Sequence, residues 1–179
     1  YEADDVMAAA VARIAEKGWE AVLFTTDKDV LSLLAPGVFG YEKKGKRGMV
    51  FGPEEIEARW GVAPALILEV LALCGDAVDG VPGVAGIGRK GAVALVRRWG
   101  SAARACAAAE RGEPEVPKRQ AEALRGLAPE VAKARAILAL RPPELEIQWE
   151  ALQRDKGRLQ ALGEHLGIGK LLRESQGLL

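Results

Sequence analysis

The sequence predicts an α/β protein, with a short sheet and flanking helices in front and a mostly helical remainder behind. Three observations carry this. Ala21-Val22-Leu23-Phe24 is a short apolar run closed by Thr25, Thr26 and Asp27, the pattern of a buried strand ending in a turn. Val38 to Phe51 reads as two further short strands around Lys43-Lys44-Gly45-Lys46-Arg47-Gly48. After Gly52-Pro53, apolar residues recur at helical spacing with Gly, Pro and Ser at the joins.

Taken in order, the first helix runs from about Ala3 to Lys17, where Val6, Ala10 and Ile14 share a face and Gly18 is the stop. The strand from Ala21 follows. A second helix is expected from Lys28 to Leu34, broken by Pro36-Gly37. The later helices are Glu54 to Trp60, Ala65 to Cys74, Lys90 to Trp99, Ala102 to Glu110, Lys118 to Leu124, Val131 to Ala139 and Lys156 to Leu166. No internal repeat interrupts this order.

Composition removes several classes of function. A chain of 179 residues, 49% apolar and of formal net charge zero, can bury the core of one domain, or of one domain and a small helical annex. With no overall basic field, nucleic-acid binding must come from local patches. Cys74 and Cys106 lack C-x-x-C spacing and His165 is the only histidine, which argues against a disulfide framework or a zinc site. A reducing cytoplasm is expected. No apolar run approaches the roughly 18 residues of a membrane span, and the start lacks the layout of a signal peptide, so no membrane partner is expected. The chain begins at Tyr1 rather than Met, as a piece of a longer protein would.

The aspartates carry the chemistry. Six of the seven fall in three close pairs: Asp4 and Asp5, Asp27 and Asp29, Asp76 and Asp79. Crowded carboxylates repel one another unless a cation lies between them, so the pairs point to a divalent-metal site with hard oxygen ligands. On a helix starting here, Glu2 and Asp5 share a face with Asp4 beside them. Dipole compensation in a first helical turn is the alternative. Asp27 and Asp29 leave the carboxyl end of a buried strand, where α/β sheets gather ligands, although Thr26 and Asp29 also have capping-box spacing. Asp76 and Asp79 follow the helix from Ala65, at an end whose dipole disfavours negative charge by about 0.3–1 kcal/mol each. Something positive should offset them, unless they are simply turn residues.

Next comes Gly80-Val81-Pro82-Gly83-Val84-Ala85-Gly86-Ile87-Gly88-Arg89-Lys90-Gly91. Its glycines allow a hairpin with exposed main-chain N–H groups, which together with the next helix N-terminus and Lys90 could face one phosphate. Helices on both sides exclude a dinucleotide-binding βαβ unit. A purely structural glycine turn remains the alternative.

Tyr1-Glu2-Ala3-Asp4-Asp5-Val6, Thr26-Asp27-Lys28-Asp29, and Gly75-Asp76-x-x-Asp79 running into Gly-Val-Pro-Gly-Val-x-Gly-Ile-Gly-x-Lys together resemble the 5′-nuclease domain of bacterial DNA polymerase I, in the flap endonuclease superfamily. Order and spacing agree along the whole chain, and the likeness is to enzymes of thermophilic bacteria. The resemblance implies a PIN-like nuclease core followed by a helix-hairpin-helix subdomain. Its expected divisions are 1–75 for the carboxyl-terminal part of the core, 76–142 for the helix-hairpin-helix and 143–179 for a helical return segment. It implies a 5′→3′ exonuclease and flap endonuclease that uses two Mg²⁺ or Mn²⁺ ions about 4 Å apart. Glu2, Asp4, Asp5, Asp27, Asp29, Asp76 and Asp79 would hold the metal, with Asp5, Asp27 and Asp76 closest to the chemistry. Gly83, Val84, Gly86, Gly88, Arg89 and Lys90 would grip double-stranded DNA behind a 5′ flap or nick, with K⁺ at the hairpin as in relatives. Arg97, Arg98 and the basic loop from Lys43 to Arg47 could extend that track.

This chain departs from the family at Val78, Gly80 and Gly91, where relatives often carry Ser, Asn and Thr. Relatives also have, ahead of the position of Tyr1, a first strand with another metal-binding Asp and a helical arch. The resemblance therefore implies one part of a monomeric polymerase polypeptide, weak or inactive alone. Two other readings stand beside it: a noncatalytic helix-hairpin-helix module, and a haloacid-dehalogenase-type phosphatase using Asp27 and Asp29.

Overall fold

Alternating burial along Ala21–Phe24 marks β1 as a half-covered strand, with Ala21 and Leu23 inward and Val22 and Phe24 outward. In the computed structural model, which describes residues 1–25, 27–44 and 47–149, β1 lies parallel to β2 (Val38–Lys44). Strand β2 in turn pairs antiparallel with β3 (Arg47–Phe51), giving a mixed sheet in the order β1-β2-β3. The inward face places Ala21, Leu23, Val38 and Phe51 in the core. On the outward face Phe24 stacks on Tyr41 at 4.5 Å between ring centroids, beside exposed Val22 and Val50.

Helix α1 (Ala3–Glu16) precedes the sheet, and α2 (Pro53–Trp60), α3 (Ile67–Cys74), α4 (Arg89–Trp99), α5 (Ala102–Glu110), α6 (Lys118–Leu124) and α7 (Ala128–Ile137) follow it. Helix α3 is apolar nearly all round because it is enclosed: Ile67, Leu68, Val70, Leu71 and Leu73 are buried, each worth about 1.5–3 kcal/mol of transfer free energy. It packs against α4, α5 and α7. That central position fixes whatever leaves its carboxyl end.

Two expected helices are shorter or displaced. Where a helix was expected over 28–34, only a 3-10 turn forms, at Val30–Leu33. The Asp27 carboxylate accepts the Asp29 N–H at 3.1 Å, a bond that caps a helical start, but Pro36 leaves too few residues to offset helix nucleation, so only the short turn forms. The last described helix starts at Ala128 rather than Val131, because Pro129 is well suited to a first turn. The expected helix Lys156–Leu166 lies outside the described residues. Contacts divide the chain into Tyr1–Leu145 and Glu146–Leu179, and the acidic pairs and the glycine hairpin all lie in the first unit.

One half-buried carboxylate binds three helices together. Glu69, on α3, accepts the Ala102 N–H at the start of α5 at 2.9 Å and the Arg135 guanidinium of α7 at 2.7 Å. Glu69→Ala strands both donors, so urea unfolding should show a loss of about 2–4 kcal/mol. Glu69→Gln keeps one acceptor and should lose less.

Candidate metal centre and nucleic-acid interface

Three chain segments bring the acidic residues into one neighbourhood. The N-terminal turn of α1 carries Glu2, Asp4 and Asp5, the carboxyl end of β1 leads into Asp27 and Asp29, and the end of α3 leads into Asp76 and Asp79. Carboxylate oxygens of Asp29, Asp76 and Asp79 lie within 4.8 Å of one another. Asp76 and Asp29 are buried and Asp79 is exposed, so the group opens to solvent on one side.

Asp76 is placed by backbone pairing. Its N–H and carbonyl exchange hydrogen bonds of 2.8 Å with Val81, closing the loop that carries Asp79. Its Oδ1 accepts the Val78 N–H at 3.0 Å, and its Oδ2 forms an ion pair with Lys28. Lys28 is the positive group that this helix end requires. Asp29 is less well satisfied: its Oδ1 is buried and, among the described residues, accepts no hydrogen bond. Burial, then the charges of Asp79, Asp27 and Asp76, push the Asp29 carboxyl up to about 7. Burial likewise raises Asp79, with Asp76 and Asp27 adding to it.

The outer members are arranged differently. Burial raises the Asp4 carboxyl, and Asp27, Glu2, Asp5 and Asp79 all repel its charge, which ties the first cluster to the other two. Asp27 is exposed, with its Oδ1 turned to the Asp29 N–H. Asp5 is committed elsewhere: its oxygens accept the Arg141 N–H at 2.6 Å and the Glu2 N–H at 3.3 Å. The Arg141 bond, partly opposed by desolvation, holds its carboxyl below the ordinary value. The structure thus joins Asp29, Asp76 and Asp79 closely, sets Asp4, Asp27 and Glu2 within electrostatic reach, and turns Asp5 toward the segment after α7.

The residue set suits a hard divalent cation. Three oxygen ligands converge, one of them a buried orphaned carboxylate that a cation would satisfy, and among the described residues no nitrogen or sulfur ligand joins the group.

The glycine hairpin adjoins this group through α3. Gly83 lies against the backbone of Cys74 and Gly75, while Gly75 faces the Val81 and Pro82 carbonyls. The Val84 N–H bonds to the Leu73 carbonyl at 2.8 Å, and Val84 and Ile87 are buried as anchors. Ala85, Gly86 and Gly88 are exposed, and among the described residues their N–H groups make no backbone hydrogen bond. Lys90 is exposed in the first turn of α4. Arg89 turns back, with its guanidinium 4.1 Å from the Trp60 ring centroid and donating to the Arg59 carbonyl at 3.0 Å. Arg98 is paired with Glu115 at 3.1 Å.

Two residues escaped the sequence reading. Lys28 had a signal, because it stands between Asp27 and Asp29. Arg119, whose guanidinium comes within 4.0 Å of where a Gly86 side chain would begin, had none, because α6 is far away in the chain.

Comparisons with known proteins bear on family and fold. The chain is 33% identical over 180 residues to the thermostable DNA polymerase I of Thermus filiformis, covering 97% of this chain and 21% of that protein. It is also 33% identical over 164 residues to the 5′-3′ exonuclease of Aquifex aeolicus, covering 90% of this chain and 56% of that one. The T5 5′-exonuclease solved with bound divalent zinc ions superposes with a TM-score of 0.65 at 22% identity, over 78% of this chain and 50% of that chain, and so shares the fold. The chain therefore spans about a fifth of its polymerase relatives and about half of the separate exonuclease. Residues 62–159, more than half of the sequence, match the family described as 5′-3′ exonuclease, C-terminal SAM fold, and to that family this chain belongs.

Proposed function

We propose that the chain is the metal- and duplex-binding part of a 5′→3′ exonuclease and flap endonuclease that hydrolyses DNA phosphodiesters with Mg²⁺ or Mn²⁺. The observation that carries the reading is the buried Asp29 Oδ1, which accepts no hydrogen bond among the described residues, beside Asp76 and Asp79 and one short turn from an amide-rich hairpin. Asp29, Asp76 and Asp79 hold one cation. Asp4, Asp27 and Glu2 supply the charge for a second, and Asp5 orients their helix through Arg141. When bound, such ions activate a water and stabilise the leaving oxygen. The N–H groups of Ala85, Gly86 and Gly88, with Lys90, hold the sugar-phosphate backbone of double-stranded DNA at a 5′ flap or nick. Contacts of that kind set position and not base preference. The solved T5 flap endonuclease in complex with DNA and metal ions supports the substrate class. The polymerase relatives support a place within a longer polypeptide. Its DNA substrate would be met in the bacterial cytoplasm.

The titration of Asp29 gives the test. A cation needs the carboxylate, so Mn²⁺ affinity should rise by about tenfold per pH unit up to about pH 7 and level off above it. Metal-free stability should move the opposite way. Folded Asp29 keeps a proton that the unfolded chain releases above its ordinary value of 3.8, so stability falls from about pH 4 to about 7 and then stays flat. Electron paramagnetic resonance of Mn²⁺ and thermal melts in chelator measure the two. Saturable binding with no pH dependence would remove Asp29 from the site. Cleavage of a 5′-flap duplex should be assayed with this chain alone and fused to the part of the Aquifex exonuclease it does not match. Absence of cutting in both overturns the catalytic reading.

A further inference from the structure

We propose that Lys28 is a resident counter-ion, whose ammonium group occupies a cation position against Asp76 and is exchanged for the divalent ion on loading. The inference deepens the metal reading above and rests on it. Both oxygens of Asp76 are committed, Oδ1 to the Val78 N–H and Oδ2 to the Lys28 ammonium. A cation that takes Asp76 Oδ2 as a ligand must therefore displace that ammonium.

The two partners are unequally placed. The Asp76 side chain is 1% exposed, whereas that of Lys28 is 38% exposed, so the lysine reaches inward from solvent. It can withdraw along its flexible stem without unpacking the core, while Asp76 stays fixed by its pairing with Val81. Asp79 and Asp29 also attract this ammonium, so one lysine charge serves all three carboxylates. A buried carboxylate left without any counter-charge would be costly. A lysine serves better than an arginine here because a hydrated point charge forms no rigid two-pronged pair and is more readily exchanged.

The test is Mn²⁺ binding by isothermal titration, with the whole chain and its Lys28→Gln and Lys28→Arg variants. Lys28→Gln removes both the competitor and a repelling charge, so Mn²⁺ should bind about tenfold tighter, about 1.4 kcal/mol. Its metal-free melting temperature should fall, and saturating Mn²⁺ should restore it. Lys28→Arg keeps the charge and should bind no tighter than the parent. Unchanged or weaker binding by Lys28→Gln, or a Lys28→Gln chain that Mn²⁺ cannot restore to the folded state, overturns the exchange. Failure of the metal site itself shows separately, as a parent chain with no saturable Mn²⁺ binding sensitive to Asp76→Asn.

Discussion

Asp76→Asn should weaken Mn²⁺ binding at least about 100-fold, roughly 2.8 kcal/mol at 1.4 kcal/mol per tenfold. The substitution preserves shape and the Val78 contact through Oδ1, so the loop should stay closed. What it removes is the charge of one of three converging carboxylates and the anionic partner of Lys28. Stability should change little, because relief of repulsion with Asp29 and Asp79 offsets the lost ion pair. Any 5′-flap cutting should fall by about 10³-fold or more, near 4 kcal/mol of transition-state stabilisation. Duplex binding, measured by fluorescence anisotropy at fixed salt, should persist because the hairpin is held by Leu73, Val84 and Ile87. Loss of duplex binding together with metal binding would mean that the two sites are not separable. A noncatalytic module would instead bind duplex and show no metal-dependent cutting in either the parent or the Asp76→Asn chain, and the parent chain decides that point.

Gly83→Ala should be the most damaging small substitution in the hairpin. Gly83 has φ +68°, which costs an L-residue about 1–2 kcal/mol. Worse, a Cβ there would run into backbone atoms of Cys74 and Gly75, with the Cys74 carbonyl oxygen at 2.7 Å. Backbone cannot yield as the end of a flexible side chain can. Relief requires the hairpin to move off α3, breaking the Val84–Leu73 bond and the paired bonds between Asp76 and Val81. A loss of about 3–5 kcal/mol follows, which for a chain of this size lowers the melting temperature by roughly 6–20 °C. Gly80→Ala is the control. Gly80 has φ +65° but nothing within 4 Å of its Cβ position, so it should lose only the conformational cost of about 1–2 kcal/mol. Equal melting temperatures for the two variants would show that close approach at Gly83 matters little. Because the same contact positions Asp76, Gly83→Ala should also weaken Mn²⁺ binding, linking the hairpin to the metal centre.

Much of this was legible in the sequence. Strand β1, the β2–β3 pair and helices α4 to α6 are read from local periodicity bounded by Gly, Pro and Ser, and local steric preference decides them. The acidic pairs and the glycine run were legible for the same reason: each is a local cluster. The missing helix at 28–34 shows the limit of that reasoning: Asp27 caps the segment, yet ahead of Pro36 it is too short to nucleate more than the turn at Val30–Leu33.

By itself the sequence determined the carboxylate pairs, the candidate hard-oxygen ligand set they offer and the backbone-exposing hairpin, since residue type and spacing along one segment suffice for them. Tertiary structure alone decided which carboxylates meet, that the buried Asp29 Oδ1 accepts no hydrogen bond among the described residues, that Lys28 pairs with Asp76 across 48 residues, and that Arg89 turns to Trp60 while Arg119 approaches the hairpin. Burial and charge pairing depend on elements far apart in the chain being packed around α3. No local pattern records that distance.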